Sequence, residues 1–158
     1  PRVATATYDE AVARYETFRA ARDTGLAPDC ATELLDHGQR TGRAIVLLHG
    51  LSNCPRQFDS LAHVLHARGA NVLVPRFPYH GLANRMTDDL QKLQANQLAQ
   101  TTAEAVAIAQ GLGDTVVVVG LSMGGVATAW VTGDVTTDGN QSSAILVQSV
   151  GGGGNRVS

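Results

Sequence analysis

The feature that most constrains this chain is the segment 116–125, VVVVGLSMGG. Four consecutive valines read as a strand buried on both faces, as in a parallel sheet. The run ends in Ser122, with Gly120 two positions before it and Gly124 two positions after. Val126 to Val131 then reads as a helix. A strand that turns into a helix over so few residues holds the serine in a strained backbone conformation. Side chains at 120 and 124 would collide with the neighbouring elements, and glycine removes them. The helix N-terminus also aims unpaired N–H groups and a partial positive charge at the turn. This is the G-x-S-x-G elbow that presents a nucleophile at the carboxyl end of a strand. A phosphate-binding loop would also be a glycine-rich strand-to-helix turn. However, neither G-x-G-x-x-G nor the lysine-bearing G-x-x-x-x-G-K-[ST] is present.

Elsewhere strand and helix patterns alternate. Tyr8 to Arg22 reads as a helix with Val12, Tyr15 and Phe18 on one face. Thr32 to His37 is a candidate strand, and Gly38 to Gly42 a turn. Ala44 to Leu48 is a short, continuous apolar run of the kind buried on both faces. Pro55 suits the first position of a helix, and Phe58, Leu61, Ala62 and Leu65 share one helical face. Gly69 fits just past the end of that helix. Asn71 to Arg76 is the next strand, ended by Pro75 and Pro78. Thr87 to Leu112 is helical in pattern, Thr115 to Val119 is the third buried strand, and Ser143 to Val150 is a fourth. Strands joined by helices imply βαβ units, and so an α/β fold with a mostly parallel sheet flanked by helices. Residues 1–150 read as one domain and 151–158 as a flexible glycine-rich tail.

The chain's 158 residues suffice for a domain with its own core. A hydrophobic content of 44% against 16% charged residues excludes a disordered chain. No apolar run is long enough to span a bilayer. The net charge of -2, scattered along the chain, gives no footprint for nucleic acid. The chain opens at Pro1 without a basic, apolar leader, which leaves room for an upstream segment. Cys30 and Cys54 are too few for a disulfide framework or a zinc site. Two free thiols are the plainer reading, and they slightly favour the cytoplasm. The alternative is a bridge in an exported protein whose fold sets Cys30 beside the loop carrying Cys54.

A second motif follows the strand at 44–48. Acyl transfer needs N–H donors aimed at the developing oxyanion, and losing one costs about 10²–10³ in rate. The loop beginning His49-Gly50 suits that task, with the Leu51 N–H as one donor and the Met123 N–H, just after the serine, as the other. His49 itself reads as a residue that orients its own loop.

With these residues in view, the chain resembles an α/β-hydrolase of the esterase/lipase type. The resemblance rests on AIVLLHGLSNCPRQF (44–58), NVLVPRFPYHGLANRMTDDL (71–90) and VVVVGLSMGG (116–125), in the right order. It implies Ser122 as a nucleophile that forms an acyl-enzyme with a carboxylic ester, and Leu51 and Met123 as oxyanion donors. It further implies a small-molecule or lipid-like ester as substrate, no metal or organic cofactor, and a variable lid after the strand at 143–150.

The departure from the family is equally informative. In this family the triad acid and histidine follow the serine in the chain. After Ser122 this sequence offers Asp134 and Asp138, which read as turn formers, and no histidine. His37, His49, His63, His66 and His80 all precede it. His37 falls in an early strand, and His63 and His66 on a solvent-facing helix. His80 follows a strand end facing the cleft, where it reads as a loop-ordering residue. The chain therefore reads as truncated before the lid, the acid and the histidine. A serine without a base is a weak nucleophile, so Ser122 is expected to be nearly inert in it. The strand at 143–150 is expected to leave an open sheet edge that invites self-association. The alternative is a non-catalytic α/β-hydrolase-like protein that keeps the turn as architecture and acts by binding or association.

Overall fold

A computed structural model describes residues 7–132 and 147–150. Among the described residues five strands form one sheet in the order β1-β3-β2-β4-β5, with β1 at Glu33–Leu35, β2 at Thr41–Leu48, β3 at Asn71–Val74, β4 at Gly113–Leu121 and β5 at Val147–Val150. β1 runs antiparallel to β3, and the other three pairings are parallel. The register sets Leu48 opposite Gly120, so the carboxyl ends of β2 and β4 lie side by side.

Helices cover both faces. α1 (Tyr8–Arg22), α3 (Ala95–Leu112) and α4 (Met123–Thr132) lie on one face, where Tyr15, Phe18, Ile108, Leu112 and Ala127 pack on Ala44, Val46, Leu48, Val116 and Val118. On the other, α2 (Asp59–Ala67) and the 3-10 turn before it bring Phe58 and Ala62 against Ile45, Leu47, Val72 and Val74. Alternate residues of β2 thus enter different cores, which is why its apolar run is unbroken. Beyond the first residues of the strand, nothing in β2 faces water.

The connections of the two central strands leave in opposite directions. β2 passes through α2 on one face and returns as β3. α3 then carries the chain across the other face to β4, on the far side of β2. Where neighbouring strands send their chains to opposite faces, a crevice opens at their carboxyl ends, the usual ligand position in an open α/β sheet. In this sheet that position falls between the loop after Leu48 and the turn after Leu121.

Local chemistry explains the helix ends. Thr7 caps α1: its hydroxyl accepts from the Glu10 N–H while the Glu10 carboxylate accepts from the Thr7 N–H. α3 starts at Ala95, not at the predicted Thr87. The chain from 77 to 94 is used instead by a long loop with a short 3-10 turn at Asp89–Lys92, and Leu93 is extended. α3 then opens with the Gln97 side chain accepting from the Gln94 N–H at 2.8 Å. β4 is longer than the valine run at both ends, and α3 runs into it without a loop. Of the predicted strand 143–150, only Val147–Val150 falls within the described residues; the tail at 151–158, Asp134 and Asp138 lie outside them.

Candidate functional site

Ser122 stands where the valine run predicts, between the end of β4 and the start of α4. Its φ of 54° is in the left-handed region, rare for a residue with a side chain, and its side chain is exposed. The two glycines are there because no other residue fits. A Cβ on Gly120 would stand 2.3 Å from the Gly124 carbonyl, and one on Gly124 would stand 2.2 Å from the Leu48 oxygen. Helix α4 therefore starts pressed against both β4 and β2. The bend is completed by Gly125 and Val126, whose N–H groups donate to the Ser122 carbonyl.

The loop after β2 reaches this turn from the neighbouring strand. A Cβ on Gly50 would lie 3.6 Å from the Ser122 Cβ and 3.4 Å from the Leu121 oxygen. The loop is held on all sides. The Gly50 N–H donates to Gln57 Oε1 at 3.0 Å, and the Asn53 N–H donates to the Gly50 oxygen at 3.3 Å. His49 is fully buried; its Nδ1–H donates to the Gly50 oxygen at 2.9 Å, and its Nε2 accepts from the Phe77 N–H at 3.1 Å. Both ring nitrogens are thus committed to backbone. Burial pushes its pKa down to about 4, aided by His80 and Arg76 against the pull of the Gly50 bond, so the ring is neutral at physiological pH. Neither the Leu51 N–H nor the Met123 N–H has an acceptor among the described residues. Gly50 therefore lies against the turn formed by Gly120, Ser122 and Gly124.

The remaining histidines are placed elsewhere or otherwise engaged. His37 and His66 stack with ring centroids 4.1 Å apart, and the His37 N–H donates to the Asn71 side chain. Because Asn71 begins β3, this pair lies at the opposite end of the sheet from Ser122. His66 is only partly exposed there, rather than solvent-facing as expected. His63 is exposed on α2, near Glu33 and Asp59. His80 is buried with its ring centroid 5.0 Å from that of His49, and its Nδ1–H donates to the Pro78 oxygen. Among the described residues no side chain hydrogen-bonds to the Ser122 hydroxyl.

Two further supports hold this region, the first of them the bridge set against two free thiols in the sequence. Cys30 and Cys54 form a disulfide with their Cα atoms 5.2 Å apart, which corrects the reading of two free thiols. Their spacing in sequence carries no sign of this, because pairing depends on the loop after β2 folding back beside residue 30. The second is Arg76, buried with Asp23 at 3.0 Å. Its Nη1 donates to the oxygens of Phe77 and His80, each at 3.1 Å, and its Nη2 donates to the Arg22 oxygen. Asp23 in turn accepts from the Thr32 N–H and hydroxyl. This network ties the end of α1 to the loop that backs His49. A charge directly after a buried strand was the available signal.

A family model described as the alpha/beta hydrolase family matches residues 45–156. No curated protein matches the chain by sequence. Among solved structures, one described under LipS and LipT, two metagenome-derived lipolytic enzymes, shares 22% identity at a TM-score of 0.59 over 69% of this chain and 42% of that one. An inhibited esterase B from Lactobacillus rhamnosis shares 14% identity at a TM-score of 0.46, over 78% of this chain and 46% of that one. The chain thus spans less than half the length of these structures. No helix among the described residues is long and apolar enough to cross a membrane.

Proposed function

Because this chain belongs to the alpha/beta hydrolase family, we propose that it is the nucleophile-bearing part of a serine hydrolase of carboxylic esters. In this reading the Ser122 hydroxyl attacks the ester carbonyl, the alcohol leaves, and water releases the acyl group from the serine. The Leu51 and Met123 N–H groups take the oxyanion of each tetrahedral intermediate. The observation that carries the reading is the backbone of Ser122: a left-handed serine, exposed, fixed by two glycines that admit no side chain, beside Gly50 of the neighbouring loop. Strain of this kind persists where the surroundings over-determine it, and it collects at functional sites.

His49 supports the site without taking part in proton transfer, because both of its nitrogens are occupied. The base is assigned to sequence that the chain does not span, in keeping with its coverage of the lipolytic structure. The test is ester turnover by a version extended along its own reading frame to the length of its structural relatives. Hydrolysis of a short-chain 4-nitrophenyl ester is expected, falling by about 10⁴ or more in Ser122→Ala. Turnover unchanged by that substitution would remove the serine from the mechanism.

The absence of a side-chain partner for Ser122 among the described residues favours one other reading, a protein that keeps the turn as scaffold and acts by binding. An extended version that folds and turns over no ester would favour it.

A further inference from the structure

A cavity of about 420 Å³ is lined by residues from the segments 52–56 and 79–90, with Ala27 and Cys30. Ser122, Leu51 and Met123 do not line it. Its walls are fixed. The Cys30–Cys54 disulfide forms part of them, and Gly81 packs so closely on it that a Cβ there would meet the Cys30 Cβ at 2.7 Å. Ser52 and Tyr79, both in the lining, hold left-handed backbone.

The chemistry of the lining is one-sided. No aspartate or glutamate lines the cavity. Arg56 and Arg85 do, and among the described residues neither has a carboxylate within ion-pair distance. The neutral groups of the lining include several N–H and O–H donors. Asn53 Oδ1 accepts from the Cys54 N–H and Asn84 Oδ1 from the Met86 N–H, and each side chain also carries an NH₂ donor. Thr87 Oγ1 accepts from the Asp89 N–H, and the Tyr79 hydroxyl accepts from Gln97 at 3.4 Å, leaving an O–H on each. The exception is His80 Nε2, an acceptor screened from solvent in the wall. Ala27, Leu82 and Leu90 supply an apolar side.

We infer that this cavity binds a small phosphorylated molecule, its phosphate held by Arg56, Arg85 and the donors of Asn53, Asn84, Thr87 and Tyr79. A phosphate is favoured over a carboxylate because these donors outnumber the roughly four lone-pair sites that a carboxylate offers. The planar guanidinium forks of Arg56 and Arg85 match phosphate oxygens in pairs. The volume exceeds what the phosphate alone needs and falls within the range of small-molecule sites, leaving the apolar side for an organic group. The site does not depend on the reaction at Ser122.

The test is calorimetric titration of the 158-residue chain, at constant ionic strength, with phenyl phosphate, inorganic phosphate and malonate. Saturable binding of phenyl phosphate is expected, tighter than that of inorganic phosphate, with malonate weakest. Arg56→Gln and Arg85→Gln, both at exposed positions where folding survives, each weaken binding about tenfold, the loss of one charge-assisted contact. Arg40→Gln, at the far end of the sheet, and Ser122→Ala leave it unchanged. No saturable phosphate binding, tighter binding of malonate, or an equal loss in Arg40→Gln would overturn the assignment.

Discussion

At positions 120 and 124 a single methyl group would meet backbone at 2.3 Å and 2.2 Å. Neither clash can be relieved by a rotamer change, because the atoms met belong to the main chain. Gly120→Ala and Gly124→Ala are each expected to destabilise the protein by about 3 kcal/mol or more, read as a lower urea midpoint. A substitution of Ser122 to alanine, which leaves the left-handed turn in place, should move the midpoint far less. His49 belongs to the same scale. Its pKa is about 4 in the folded protein against about 6.5 when unfolded. Above the unfolded value both states are neutral and the group gives no pH dependence. Between the two values only the unfolded chain takes the proton, so stability falls as pH drops through that window, by roughly 3 kcal/mol in all, and levels off below it. Burial lowers the His80 pKa as well, which adds in the same direction. Urea denaturation from pH 7.5 to pH 4.5 should show this slope, and His49→Gln should flatten it. The glycines and Ser122 were legible because the need for them is local: a sharp bend between a strand and a helix. The engagement of both His49 nitrogens was not, since one of its partners is the amide of Phe77, fixed only by the fold.

Elements were read well where an apolar period continued and poorly where tertiary demand interrupted it. The helix at Tyr8–Arg22 matches its pattern to the residue, because its cap, its face and its terminal charges agree. The pattern from Thr87 to Leu112 held no comparable stop, yet its first turns are given up to the loop that walls the cavity. Arg76 shows the same limit. Its charge sits next to a buried strand, and the partner that makes this tolerable lies 53 residues earlier in the chain. Because the pair is almost fully buried, Arg76→Met is expected to leave Asp23 uncompensated and to cost about 3–5 kcal/mol. The double variant with Asp23→Leu should recover part of that loss. Comparison of the two thermal midpoints measures the difference.

Over the whole molecule, what positions the site is the divergence of β2 and β4 to opposite faces of the sheet. The alternation of strands and helices made the parallel sheet legible. It did not give the strand order, which depends on α3 crossing to the far side of β2. The disulfide is the other long-range constraint, closing a segment with a sequence separation of 24 residues. Replacing both cysteines with serine is expected to lower stability by about 3 kcal/mol, measured by chemical denaturation. The same change should loosen the loop carrying Leu51, seen as faster amide exchange at residues 50–54.

We propose Ser122 as a nucleophile activated by a base in sequence that the chain does not span. The most direct measurement is mass-spectrometric mapping of the adduct left by a fluorophosphonate. The extended version should carry one adduct, on Ser122, that vanishes in Ser122→Ala, while the 158-residue chain labels far more slowly. An adduct on another residue, or none on a folded, extended chain, would contradict it.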